Sequence, residues 1–189
     1  MTFSTNQKPT KKKSVFRFDV QKKTRKTLDK LLRNGVDTIL VYSVSHPGSS
    51  LIVNDSCSNS YPVDSYFFWR KGGLNYVKTV SGQCEGGQLS ANDKVTEFIL
   101  DNFQKMTGEF FMNVIYSAVA NGDNLQIKSS MVDHEPKYEI FFQLGDKFKY
   151  FRFTDNELTN KESLFYDYNH DLTSYKLFEL IKTEIKIFD

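Results

Sequence analysis

Apolar residues recur at helical spacing in three stretches of the chain and alternate or run together in the segments between them. Val20, Thr24, Leu28, Leu31 and Leu32 fall on one face of a helix that Asp19 is placed to cap and Asn34-Gly35 to stop, because glycine accepts the left-handed backbone a helix end needs. A second stripe comprises Val95, Phe98, Ile99, Phe103 and Met106. It ends at Gly108 and is preceded by Ser90 and Asp93 in the spacing of a capping box. Tyr175, Phe178, Ile181, Ile185 and Phe188 make a third.

The intervening segments have strand character. Residues 36–45, VDTILVYSVS, are β-branched and almost continuously apolar, which suits a strand covered on both faces at the centre of a sheet. A looser strand is expected at Leu51-Ile52-Val53. Residues 66–69 are expected to pair with 76–80 across Lys71-Gly72-Gly73. The plainest signal is YEIFFQL followed by KFKYFRF around Gly145-Asp146, a pair suited to a two-residue hairpin turn. Setting Leu144 opposite Lys147 puts Ile140 with Phe151 and Tyr138 with Phe153 on one face, and Glu139 with Arg152 and Phe141 with Tyr150 on the other. Both faces therefore carry aromatics, so this hairpin is either covered twice or offers an apolar surface to a partner. Residues 110–119 read as a further strand, and a polar stretch follows residue 153 as far as about Asp171.

Helices near both ends with hairpins between them indicate an α+β fold rather than a wound α/β sheet, since regular strand-helix alternation is missing. The expected architecture is an antiparallel sheet built from hairpins and packed by three amphipathic helices. Residues 1–13 are expected to be a disordered basic tail, and residues 14–189 a single domain. Composition adds that the core is aromatic, with 17 Phe and 10 Tyr.

Charge changes the picture further. Residues 1–35 hold eleven Lys and Arg against Asp19 and Asp29, a net +9, so the overall +2 leaves −7 on the remainder. Lys11, Lys12, Lys13, Lys22, Lys23, Arg25, Lys26, Lys30 and Arg33 form a basic arm and helix face that suits nucleic acid or an anionic surface, and equally suits plain solvation. No run reaches the ~18 apolar residues of a membrane-spanning helix, and the first residues lack the apolar centre of a signal peptide. A cytoplasmic location is expected, or a secreted one if an export signal precedes the chain.

Residues able to carry chemistry are few. Cys57 and Cys84 bracket the first hairpin almost symmetrically, so they either pair as a disulfide across its base or remain two thiols. Neither Cys-x-x-Cys nor His-x-x-x-His occurs to build a zinc site. His46, His134 and His170 fall in expected turns, the carboxylates show no acid/base spacing, and Gly72-Gly73 and Gly86-Gly87 lie outside any phosphate-cradling motif. No catalytic residue, metal ligand or cofactor is assigned.

What remains is a non-enzymatic binding protein that recognises another protein through an aromatic sheet or hairpin surface. Tyr66, Phe67, Trp69, Phe141, Phe148 and Tyr150 supply the residue types that dominate interfaces, and for any single one of them core packing is the plainer explanation. The alternative is a nucleic-acid or anionic-surface binder acting through the basic arm and helix.

Overall fold

The structure, a computed structural model, describes residues 22–36, 38–47, 63–82, 84–121, 124–129 and 132–188. The basic tail, the cap expected at Asp19 and the strand expected at 51–53 lie outside the described residues. Chain order is α1 (Lys22–Arg33), β1 (Thr38–Ser45), β2 (Val63–Lys71), β3 (Leu74–Ser81), β4 (Cys84–Glu85), β5 (Leu89–Ser90), α2 (Lys94–Thr107), β6 (Ile115–Asn121), β7 (Asn124–Ser129), β8 (Lys137–Leu144), β9 (Lys147–Thr154), α3 (Asp155–Thr159), α4 (Tyr166–Asp171) and α5 (Thr173–Ile185). Seven strands form one sheet in the order β4-β3-β2-β1-β8-β9, with β5 also on β3, while β6 and β7 form a two-stranded sheet of their own. The fold is α+β, with antiparallel hairpins packed by helices.

β1 is central, antiparallel to both β2 and β8. Its alternate side chains serve two cores, which is why its sequence is apolar almost throughout. Leu40 and Tyr42 face α2 and α5, joined there by Phe68, Ile140, Phe142, Phe151 and Phe153. Ile39 and Val41 face α1, together with Phe67, Trp69, Val80 and Phe141. The hairpin β8–β9 has the expected register, Ile140 opposite Phe151 and Phe141 opposite Tyr150. Its α2 and α5 side is covered, whereas on the other side Phe141 is buried and Phe148 and Arg152 remain exposed.

Turn chemistry accounts for the hairpins β2–β3 and β8–β9 of the large sheet. Gly72 and Gly73 have φ of 58° and 79°, the left-handed pair that a tight hairpin turn requires, and Gly145 has φ of 59°. Side chains locate the helices. Thr24 Oγ1 lies 3.0 Å from Ser65 Oγ, which in turn is 2.8 Å from Ser43 Oγ, so a buried hydroxyl chain ties α1 to β2 and β1. Glu184 of α5, only 1% exposed, accepts from Lys94 Nζ at 3.1 Å and from Asn92 Nδ2, fastening α5 to the start of α2.

Several expectations require correction. Ser90 is not part of a capping box, because it is held in β5 opposite Tyr76, and α2 starts only at Lys94 with Asp93 as its N-cap. Residues 110–114 carry no regular structure, and the strand begins at Ile115 and runs on to Asn121. Its partner β7 was not anticipated, although Leu125 and Ile127 alternate with polar residues just beyond Gly122-Asp123. The polar stretch before Asp171 contains two short helices, α3 and α4, so His170 lies on a helix rather than in a turn.

Candidate interaction surface

The aromatic residues singled out in the sequence separate by burial. Phe67, Trp69 and Phe141 are in the core beneath α1, where Trp69 stacks on Tyr76 with ring centres 5.5 Å apart. Core packing uses their surface. Tyr150 is half-buried and donates to Glu139 Oε1 at 2.5 Å, whereas Phe148 is 45% exposed and stacks on Phe141 at 6.4 Å. Tyr66 is half-buried beside Tyr42, 6.1 Å away. The six therefore do not form one continuous exposed face.

A different aromatic patch is exposed. Phe110 and Leu164 are each 58% exposed and Tyr168 is 39% exposed. The Phe110 and Tyr168 rings lie 6.2 Å apart, the Tyr168 hydroxyl donates to the Phe110 carbonyl at 3.3 Å, and Phe165 meets Tyr168 edge-on at 6.3 Å. Beside this patch stands the ribbon β6–β7, on which Val119 and Ile127 are both exposed although they point to opposite faces. Leu164 N–H donates to the Ile115 carbonyl at 2.8 Å, joining patch and ribbon.

Buried polar clasps hold this region in place. Asn169 is fully buried; its Oδ1 accepts from Met112 N–H at 2.9 Å and its Nδ2 donates to the carbonyls of Met112 and Glu157 at 2.9 and 3.0 Å. One side chain thereby satisfies backbone groups of an irregular segment that no ladder would satisfy. Glu109 accepts from Thr173 N–H at 2.9 Å, from Ser174 N–H at 2.8 Å and from the Ser174 hydroxyl at 2.6 Å, closing the N-terminus of α5. Burial works to raise the Glu109 carboxyl, but these hydrogen bonds outweigh it and hold the group below the usual carboxylate range. The sequence signal for the patch was weak, because Leu164, Phe165 and Tyr168 sit in a stretch rich in polar residues.

Of the basic residues, Lys11, Lys12 and Lys13 lie outside the described residues. On α1, Lys22, Arg25, Lys26, Lys30 and Arg33 are exposed. Lys23 turns inward toward Glu85, with Nζ 3.6 Å from Oε1. Glu85 also accepts from Lys78 Nζ at 2.6 Å and from Thr27 Oγ1 at 3.1 Å, and the Lys78 hydrogen bond above all lowers its carboxyl. Cys84 is disulfide-bonded, and Cys57 lies outside the described residues. His134 occupies a left-handed turn at φ 66°, while His170 lies between the tilted rings of Tyr166 and Tyr175, 4.1 and 4.4 Å away, with Nδ1 2.8 Å from the Tyr166 carbonyl. Since a carbonyl only accepts, Nδ1 carries the proton there.

Among the described residues, no three His, Cys, Asp or Glu side chains gather to hold a metal ion, and no helix is long and apolar enough to cross a membrane. In comparison with known proteins, no family model matches the chain and no curated protein matches it.

Proposed function

We propose that this chain is a non-enzymatic binding protein that recognises another protein through the aromatic patch of Phe110, Leu164, Phe165 and Tyr168 and the adjoining ribbon β6–β7. The observation that carries this reading is the exposure of Phe110 and Tyr168, whose rings lie 6.2 Å apart, together with Leu164, in two segments clamped by Asn169 and Glu109. Exposed apolar surface weakens solubility unless it is used, and a rigid backbone beneath it lowers the entropy lost on docking. A two-stranded ribbon is marginal by itself in water, so a partner that covers Val119 or Ile127 would also stabilise the ribbon.

The test is capture of partners from a lysate of the native organism on the immobilised full chain, in parallel with a Phe110→Ser/Leu164→Ser variant of unchanged melting temperature. The reading expects a protein retained by the parent and lost by the variant. An identical retained set would overturn it.

A second reading, binding of nucleic acid or an anionic surface, is favoured by the five exposed cations on α1. It predicts retained nucleic acid that is released steeply as salt rises, and loss of retention when Arg25, Lys26 and Lys30 are changed to Gln. Retention indifferent to salt would count against it.

A further inference from the structure

The sheet face on which α1 packs is only partly covered by that helix. Ser65 of β2, Ser43 of β1, Glu139 of β8 and Arg152 of β9 stand opposite one another in a single row across it. Thr24, in the first turn of α1, lies on Ser65, and Lys23 and Thr27 reach on to Glu85 of β4. The start of the helix thus leans away from β8 and β9. There Phe141 is buried, Tyr150 half-buried and Phe148 45% exposed.

That part of the face is nonetheless engaged. Glu139 and Phe141 of β8 and Phe148, Tyr150 and Arg152 of β9 all project from it, because side chains alternate along each strand. Each of the five has an interaction beyond those with the described groups around it. Phe141 and Phe148 offer only apolar ring surface from their side chains, which an aromatic neighbour suits best. Outside the described residues the aromatics are Phe3, Phe16, Phe18 and Tyr61. Tyr61 adjoins β2, on the far side of β1 from β8. Phe16 and Phe18 come just ahead of α1, in a run where Phe16, Phe18 and Val20 alternate with Arg17 and Asp19 at the period of an extended chain.

The lengths agree. From β2 to β9 is three strand spacings, ~14 Å at ~4.8 Å each. An extended chain advances ~3.3 Å per residue, so Phe18 reaches ~13 Å and Phe16 ~20 Å from the first residue of α1, Lys22. Both rings therefore come within reach of β8 and β9 without any change in α1.

We propose that residues 15–20 of this chain occupy the face, as a strap laid across β8 and β9 ahead of α1 with Phe16 and Phe18 against Phe141, Phe148 and Tyr150. The strap completes the core that α1 covers in part. It also shields the aromatic face of the β8–β9 hairpin, so that a partner gains access there only by displacing it. This holds whether or not the patch around Phe110 binds a protein.

Limited trypsin digestion of the full chain reads the strap, because Lys11, Lys12 and Lys13 precede it and Arg17 lies inside it. Cleavage after Arg17 is expected to be about tenfold slower than cleavage after Lys13, since proteolysis of an ordered segment waits on its local opening. Phe148→Ser, at a partly exposed residue, is expected to remove most of that difference with little change in melting temperature. In NMR spectra of the full chain, ring-to-ring cross-relaxation is expected between Phe16 or Phe18 and Phe148 or Tyr150. Phe16→Ser/Phe18→Ser is expected to shift the Phe148 and Tyr150 ring signals. Equal cleavage after Arg17 and Lys13, a resistance that Phe148→Ser leaves intact, or absence of the cross-relaxation would each overturn the proposal. So would cross-relaxation found only between differently labelled copies in a mixed sample, which would give the face to a second chain. Melting temperatures recorded for each variant separate release of the strap from loss of the fold.

Discussion

The hairpins β8–β9 and β6–β7 are both antiparallel ladders whose sequences place Gly-Asp between the strands, but they differ in what covers them. In β8–β9 the side chains of one face, Ile140, Phe142, Phe151 and Phe153, are buried under α2 and α5, and Phe141 on the other is buried beneath α1. In β6–β7 Val119 and Ile127 are exposed on opposite faces. Local hairpin chemistry is therefore common to both, and the difference arises from helices contributed by distant parts of the chain. The same pairing geometry serves as core in one place and as available surface in the other.

The largest expected effect breaks this comparison at its buried end. Phe142→Ala leaves a cavity between the sheet and α2, and urea unfolding is expected to show a loss of about 3–5 kcal/mol. Ile127→Ser on the ribbon is expected to change stability by less than about 0.5 kcal/mol in the same measurement. Comparable losses at the two positions would mean the ribbon is as covered as the sheet.

Next in size is the clasp that joins the aromatic patch to α5. Glu109→Gln removes a charged acceptor from three donors and is expected to cost about 2 kcal/mol at neutral pH. Because the folded carboxyl sits below its ordinary value, its contribution is complete above the normal glutamate range, near pH ~4.3, and disappears as pH falls through the folded value. The gap between parent and variant should close with acidification below that range. A gap constant with pH would show that the charge is not what the clasp uses.

Smaller effects sharpen the contrast at the turns and at the surface. Gly73→Ala forces a side chain into φ of 79° and is expected to cost about 1–2 kcal/mol by thermal or urea unfolding. The smallest effect on stability, within about 0.5 kcal/mol, is expected for Phe110→Ser, which is mostly exposed. Its consequence should instead appear as loss of the captured protein. A large destabilisation would reassign Phe110 to packing.

Much of the fold could be read from the chain because it is written at short range. The stop of α1 at Asn34-Gly35, the central position of β1 and the β8–β9 register follow from periodicity and turn residues, and all are found. Misreadings came where a distant partner overrides a local pattern. Ser90 fits a capping box until β3 claims it for β5, and β7 pairs with a strand whose limits were misplaced. Phe67, Trp69 and Phe141 have interface-type side chains, and only the docking of α1 through Thr24 and Ser65 makes them core. Ring contacts among Tyr42, Tyr66, Tyr138 and, through Phe178, Tyr175 were still less accessible, since these residues are far apart in sequence and meet only through strand order and the path of α5.

By itself the sequence determined the three amphipathic helices, the strands of the two long hairpins and the central β1, how β8 and β9 pair, and that the core is aromatic, because periodicity, turn geometry and side-chain type act over a few residues. Tertiary structure decided which aromatic faces are covered, where the exposed patch lies, and which carboxylates and phenols converge, because each of these depends on contacts between residues tens of positions apart.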